Sequence, residues 1–344
     1  MVDPIALTRE LVALETPTGR EGPAVDLLAG LLDRLGYRVT RQPVTAGREN
    51  LYAFRQPPTV VFSTHLDCVP PYLPLGEDAT FLHGRGTCDA KGIAAAMVAA
   101  ADQLHSAGED RVGLLFVVGE ENGSDGAQAA PALTPKGQFL INGEPTENRL
   151  SIGQKGSLKI VLESSGQAAH SAYPDEGRSA VLPLLDTLER LRRLPLPTDP
   201  MLGGGTLNIG VIEGGVAPNV LAPSARAELL MRLVGPSDQL RRDIERCAAP
   251  GVSVRFPTEL PYFKSPLAPP PGWETTVVSF ASDLPFHAAW GVGLQLGPGS
   301  IRVAHTDQER IAKAELLAGV SRYVDLTRDL LAIHAAPLAA PEVR

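Results

Sequence analysis

The chain has 344 residues, 44% of them hydrophobic and 20% charged, with a formal net charge of −8. That balance suits a soluble protein with a sizeable core, and at a usual ~100–200 residues per domain the length predicts two domains. An acidic chain without a basic run argues against nucleic acid as a partner, and no apolar run approaches the roughly 18–20 residues of a membrane span.

In chain order, Asp3 is placed to cap a helix, Pro4 fits its first turn, and Ile5, Leu7, Leu11, Val12 and Leu14 follow. A secretory signal would instead need basic residues and then an uninterrupted apolar stretch. Residues 23–35 read as an amphipathic helix ended by Gly36. Residues 59–64 read as a buried strand, 89–104 as an Ala-rich helix, and 111–118 and 139–141 as two further buried strands. Strands separated by helices predict an α/β fold with a mixed, largely parallel sheet and helices on both faces.

The middle changes character. Residues 157–163 read as a strand, 179–194 as a helix, 207–212 and 225–233 as strands, 238–247 as a helix and 252–256 as a closing strand. This β-α-β-β-α-β order predicts a ferredoxin-like α+β domain. Five prolines within 261–272 then read as a linker. The α/β domain is therefore expected over 1–152 and 259–344, with a lid and dimerisation domain inserted at 153–258. A helix is expected over 313–333, and the last ten residues, rich in Ala and Pro, are expected to fray. The three cysteines, Cys68, Cys88 and Cys247, have neither zinc nor redox spacing. An odd, sparse set suits a reducing cytosol, and a cytoplasmic location is expected.

Chemistry-bearing residues gather at the expected strand ends. His65 and Asp67 are two apart and share a strand face. A metal-bound histidine usually gives its second N–H to a carboxylate or carbonyl, so Asp67 can hold His65, although His-x-Asp also occurs in ordinary loops. Asp89 suits the N-cap of the Ala-rich helix or a carboxylate bridge between metals, and one Asp can do both. Glu120 and Glu121 end the second strand. Open α/β sheets bind ligands at such ends, and adjacent carboxylates repel unless a cation sits between them. An exposed acidic turn is the plainer alternative. Glu144 follows the third strand, and His305 follows a Gly297-Pro-Gly299 turn. His83, His105, His287 and His334 lack a repeated pattern and read as structural or surface, and Cys68 and Cys88 as small buried side chains. Nitrogen and oxygen ligands without thiolate suit zinc, cobalt or manganese at a hydrolytic site.

The segments THLDCVP, GRGTCDAKG, GEEN, GEPT, QAAHSAYP, EGGVAPN and GPGSIRVAHTDQE, in this order and spacing, resemble the dinuclear zinc peptidase family that includes acetylornithine deacetylase, succinyl-diaminopimelate desuccinylase, aminoacylase and the glutamate-releasing carboxypeptidase. The resemblance spans nearly the whole chain. It implies two divalent ions, Zn(II) with Co(II) able to substitute: one on His65, Asp89 and Glu144, the other on Asp89, Glu121 and His305. It implies that Asp67 orients His65 and that Glu120 is the general base. His170, Asn219 and Arg232 fall where relatives contact substrate, and Gly297 and Asp283 are assigned to the substrate as well. In relatives the histidine matching His170 reaches the partner subunit's active site, so a homodimer is expected.

GRGTCD, GEPT and LGPGSI…AHT look most like acetylornithine deacetylase, and the glutamate at 144 resembles the deacetylase and desuccinylase type, where other members carry Asp. Those relatives have a Thr-Glu-Ala-Pro-like segment where this chain reads Ala281-Ser-Asp-Leu-Pro-Phe286, which keeps an acid of shorter reach at Asp283. The expected substrate is an N-acyl amino acid, with N-acetylornithine leading. The alternatives are a dipeptidase or carboxypeptidase, a desuccinylase, or a non-catalytic binding protein. Against the last, Glu120 and all five ligand positions are intact. No nucleic acid or membrane partner is expected.

Overall fold

The computed structural model describes residues 1–335; most of the tail expected to fray, residues 336–344, lies outside the described residues. Helix α1 (Pro4–Val12) starts as its sequence dictates, the Asp3 carboxylate accepting the Ile5 N–H at 2.9 Å. Helix α2 (Gly22–Arg34) buries Ala24, Val25, Leu28, Ala29 and Leu32 on one stripe. Strands β1 (Arg38–Thr45) and β2 (Arg48–Phe54) then form an antiparallel hairpin. Strand β1 is a polar edge carrying Pro43 and no buried residue, so it lacks the apolar period that reveals a strand in sequence. Strand β3 (Val60–His65), helix α3 (Lys91–Ser106), and strands β4 (Val112–Val117), β5 (Phe139–Asn142) and β6 (Leu150–Gln154) follow. The middle of the chain supplies β7 (Gly156–Ser165), α4 (Val181–Arg192), β8 (Thr206–Gly214), β9 (Ser224–Leu233), α5 (Asp238–Cys247) and β10 (Val252–Leu260). Strand β11 (Val292–Gln295) and helix α6 (Lys313–Ala335) come last.

The chain forms two compact units. The first comprises Met1–Ile152, Ser265–Thr276 and the chain from Asp283 onward. Its sheet runs β1-β2-β4-β3-β5-β11-β6. The central pairs β4/β3, β3/β5 and β5/β11 are parallel, and antiparallel pairs flank them. Period-two alternation sends side chains to both faces of this sheet. Phe62 packs toward Tyr323 of α6, ring centroids 5.3 Å apart, whereas Tyr52 packs edge-on to Trp290 at 5.2 Å. Burial on both faces explains the continuous apolar runs of β3 and β4. Parallel pairing also brings the carboxyl ends of β3, β4 and β5 to one edge: His65 lies opposite Val117, and Ser63 opposite Asn142.

The second unit, Gly153–Lys264 with Val277–Ser282, is an antiparallel sheet in the order β8-β9-β7-β10. Leu158, Ile160 and Leu162 of β7 and Leu229 and Met231 of β9 pack with Leu184, Leu188 and Leu191 of α4 and Ile244 of α5. The β-α-β-β-α-β order read from the sequence is the order observed. No helix among the described residues is long and apolar enough to cross a membrane.

Candidate metal centre and active site

The carboxyl edge of the parallel strands gathers the acids and histidines of the first unit. His65 ends β3, with its side chain only 1% exposed. Its Nδ1 lies 3.0 Å from the Asp67 carbonyl oxygen and 3.5 Å from Asp67 Oδ1. A carbonyl can only accept, so Nδ1 carries the proton and the neutral ring leaves Nε2 as a bare acceptor. That Nε2 faces Asp89 Oδ1 at 3.1 Å. Two acceptors in contact repel unless the ring is doubly protonated or a cation lies between them. The second Asp89 oxygen, Oδ2, faces His305 Nε2 at 3.2 Å, and Glu121 Oε1 faces the same nitrogen at 3.0 Å. Asp89 thus presents one oxygen to each imidazole, as a bridging carboxylate does. Donor atoms of His65, Asp89 and Glu121 lie within 4.8 Å of one another.

The electrostatics require positive charge. Asp67, Asp89, Glu120, Glu121, Glu144 and Asp283 cluster around two imidazoles. Burial, with the neighbouring acids, raises the Glu120 and Glu144 carboxyls well above the usual range. Burial likewise pushes Asp283 up to about 7. His305 is pushed up to about 10 by Asp89 and Glu121. Burial opposes a charged His65, yet its contacts with Asp67 and Asp89 hold it well above the usual imidazole value. Buried like charges at this density are stable when cations neutralise them, so the donor set fits divalent metal.

One alternative read from the sequence falls away. Asp89 does not cap the Ala-rich helix: α3 begins at Lys91 with Ala90 at its N-cap and no side-chain capping bond. Its carboxylate is turned to the histidines instead. Gly92 lets the chain turn there, since a Cβ would lie 2.1 Å from the Thr87 carbonyl oxygen. Gly297, expected to touch substrate, is buried with both backbone polar groups engaged. Its N–H donates to Thr146 Oγ1 at 3.0 Å, and its carbonyl accepts from Thr146 and Asn148. Asp283 is 2% exposed, and the Ser124 hydroxyl opposes the rise that burial imposes on its carboxyl. Glu144, also buried, lies within reach of the Asn142 amide at 3.5 Å. Cys68 and Cys88 are buried and free, neither belongs to the donor group of His65, Asp89 and Glu121, and burial pushes the Cys68 thiol up to about 12.

His170, Asn219 and Arg232 belong to the second unit. His170 is exposed, and its Nδ1 accepts the Ala172 N–H at 3.2 Å, which leaves Nε2–H as an outward donor in the neutral ring. Asn219, also exposed, accepts the Ser171 N–H at 3.0 Å through its carbonyl. The Arg232 guanidinium, half-buried on β9, has no hydrogen-bond or ion-pair partner among the described residues, and burial lowers its pKa.

Supporting residues went unassigned in the sequence. Buried Arg85 donates to Glu309 Oε2 at 2.6 Å and to the Thr306 carbonyl at 3.1 Å. Glu309 Oε1 accepts the N–H groups of Gly86 at 2.8 Å and Asp89 at 3.3 Å. The pair ties the Asp89 loop to the His305 loop. The family's HTDQE-type ending contained Glu309, but nothing local in sequence linked it to Arg85.

Residues 61–329 match the sequence profile of Peptidase family M20/M25/M40. A "Peptidase M20 domain-containing protein" of Schizosaccharomyces pombe is 36% identical over 93% of this chain and 82% of its own length. A "Probable carboxypeptidase" of Aspergillus clavatus is also 36% identical, over 95% of this chain and 82% of its own. Among solved structures, a tripeptidase from Staphylococcus aureus superposes with a TM-score of 0.80 at 20% identity, covering 96% of this chain and 99% of that one. An M20 family metallo-carboxypeptidase from Sulfolobus solfataricus gives 0.76 at 15% identity, over 96% and 99%.

Proposed function

The chain belongs to the M20/M25/M40 peptidase family and is a hydrolase of amide bonds; from that premise we propose that it cuts the amide bond next to a free carboxylate, in the manner of a carboxypeptidase or dipeptidase. The observation that carries this reading is Arg232. A half-buried guanidinium without an acid partner costs desolvation energy that a ligand carboxylate, bound by two parallel hydrogen bonds, would offset. Relatives carrying the name carboxypeptidase support it. A second reading, hydrolysis of an N-acyl amino acid such as N-acetylornithine, is favoured by the glutamate at position 144, since that position resembles the deacetylases.

In this proposal His65, Asp89 and Glu144 would hold one divalent ion, and Asp89, Glu121 and His305 the second. Such ions, zinc or cobalt, supply polarisation of the carbonyl and a more acidic water. Glu120 takes the proton of the attacking water and passes it to the leaving nitrogen. Asp67 holds His65, through its carbonyl more closely than its carboxylate.

The second unit would add His170 as an oxyanion donor across a homodimer. Its edge strand β8 and helix α4 expose Val211, Ile212, Leu182 and Leu185, apolar groups suited to pairing with a second copy. A mixed dimer of one His170→Ala chain and one Glu120→Gln chain tests this. Activity requires His170 to act across the interface; activity no higher than either single variant places it in its own chain. The three free cysteines accord with the proposed cytoplasmic location.

The test of substrate class is a hydrolysis panel of dipeptides, tripeptides, their C-terminal amides, N-acetylornithine, N-acetylcitrulline and N-succinyl-diaminopimelate. The carboxypeptidase reading expects free-carboxylate peptides to be cut first, and Arg232→Ala to weaken their binding far more than that of the amides. Preference for N-acetylornithine would establish the second reading. Equal losses for acids and amides would make Arg232 structural.

A further inference from the structure

We propose that Arg48 is a positioning residue for the general base, acting through a clamp that holds the turn bearing Glu120 and Glu121; this rests on the hydrolytic reading above. The turn leaves β4 through residues of unusual backbone. Gly119, Gly123 and Ser124 all have positive φ, at 79°, 99° and 58°. Glycine adopts such angles freely, but Ser124 does not, and its geometry persists only when surrounding contacts over-determine it.

Those contacts form a closed circuit. On one side, both Asp67 oxygens receive backbone N–H groups of the turn: Oδ1 from Glu120 and Oδ2 from Glu121, each at 3.1 Å. Asp67 Oδ2 also accepts the Thr18 hydroxyl at 2.7 Å. On the other side, Arg48 engages both oxygens of Asp125, at the far end of the turn, one of them at 3.1 Å. The same guanidinium donates to Glu21 through Nε and through Nη2, the latter at 2.8 Å. Glu21 is fully buried and also accepts the Gly19 N–H at 3.0 Å. The circuit therefore runs from Asp67 through Thr18, the adjacent Gly19 and Glu21 to Arg48, then through Asp125 and the turn back to Asp67.

The fit at Arg48 leaves no slack. A Cβ on Gly119, the residue immediately before Glu120, would lie 2.4 Å from Arg48 Nη2 and 2.0 Å from Asp125 Oδ1. The ion pair thus packs directly against the backbone that aims the base. Two residues along the same strand, buried Asn50 closes the neck of the loop, accepting the Val118 N–H at 3.2 Å and donating to the Gly126 carbonyl at 2.8 Å. Arg48 touches neither base nor ligand. It fixes the backbone from which both project, and the planar fork of a guanidinium, with five donors, satisfies two carboxylates at once.

The test is Arg48→Met and Arg48→Lys, each compared with the unaltered chain for kcat, KM and zinc affinity by competition with a chromophoric chelator. A misplacement near 1 Å is worth about 10²-fold in rate, and loss of an outer partner about 10–100-fold in metal affinity. The expected result is a fall in kcat of about 10²-fold with KM within a few-fold, and weaker zinc binding through Glu121. Arg48→Lys should recover part of the rate, and added guanidinium ion should raise the rate of Arg48→Met. If Arg48→Met does not fold, Asp125→Asn breaks the same circuit and is read in the same assays. Lower thermal stability with kcat and zinc affinity unchanged would overturn the proposal. If the unaltered chain hydrolyses nothing in the panel, the functional reading fails, while zinc affinity still decides the clamp.

Discussion

The backbone N–H of Glu120 donates to the Asp67 carboxylate at 3.1 Å, so the aspartate beside His65 also anchors Glu120, the proposed base. Asp67 thus links His65 to a turn that begins 53 residues further along the chain.

Substitution of Asp67 should therefore disturb both. Asp67→Ala leaves the Glu120 and Glu121 N–H groups and the Thr18 hydroxyl without their acceptor, and removes the carboxylate 3.5 Å from His65 Nδ1 while keeping the closer carbonyl. The expected outcome is a loss of about 10–100-fold in metal affinity, the usual scale for an outer partner, together with reduced kcat. Asp67→Asn keeps one acceptor oxygen and should lie between the two. Metal titration alongside steady-state kinetics checks this, and metal affinity unchanged in Asp67→Ala would sink it.

Glu120→Gln should separate proton transfer from metal binding. The amide retains the shape but cannot take a proton, so turnover should fall by about 10²–10⁴-fold, with metal content unchanged by elemental analysis. Glu121→Gln should instead lower metal content, because Glu121 faces His305 at 3.0 Å. Near-normal turnover in Glu120→Gln would show that the two glutamates are assigned the wrong way round.

Chelation should abolish activity and lower thermal stability together, since the emptied site leaves buried carboxylates facing one another. A ligand at a thousand times its Kd stabilises by about 4 kcal/mol. Differential scanning fluorimetry with and without chelator should show a melting point several degrees lower in the stripped protein, recovered by zinc or cobalt. Full activity in protein shown to lack transition metal would refute the metal centre.

His287 predicts an acid limit to stability. Burial holds its folded-state value down at about 4, while the unfolded ring titrates near its ordinary ~6.5. Below pH ~6.5 the unfolded chain takes up a proton that the folded chain refuses until about pH 4, so the contribution is intact above that window and stability is lost as pH falls through it. The maximum loss is about 3 kcal/mol. Denaturant unfolding at several pH values should show this slope, and His287→Asn, which cannot titrate, should flatten it. An unchanged slope in His287→Asn would assign the pH dependence elsewhere.

Local chemistry determined much of this protein. The Asp3-Pro4 cap, the apolar runs of β3 and β4, and the switch to alternating strands after Gly156 follow from propensity and period, which act over a few neighbours. His65 and Glu121 were legible as ligand types for the same reason, since each stands at the end of a strand that announces itself. The polar hairpin β1–β2 was not legible, because its outer strand buries nothing and so has no period to detect. Asp89 looked like a cap because its position suits one; only the approach of His305, more than two hundred residues later, decided that its carboxylate faces metal ligands instead. Arg48, Glu21 and Asp125 carry no local signal, since each is an ordinary surface-type residue in sequence. Their roles arise only when pairing of β2 with β4 and packing of α2 against the hairpin bring three distant charges together. Contacts of that range are set by the fold as a whole, and no window of neighbouring residues contains them.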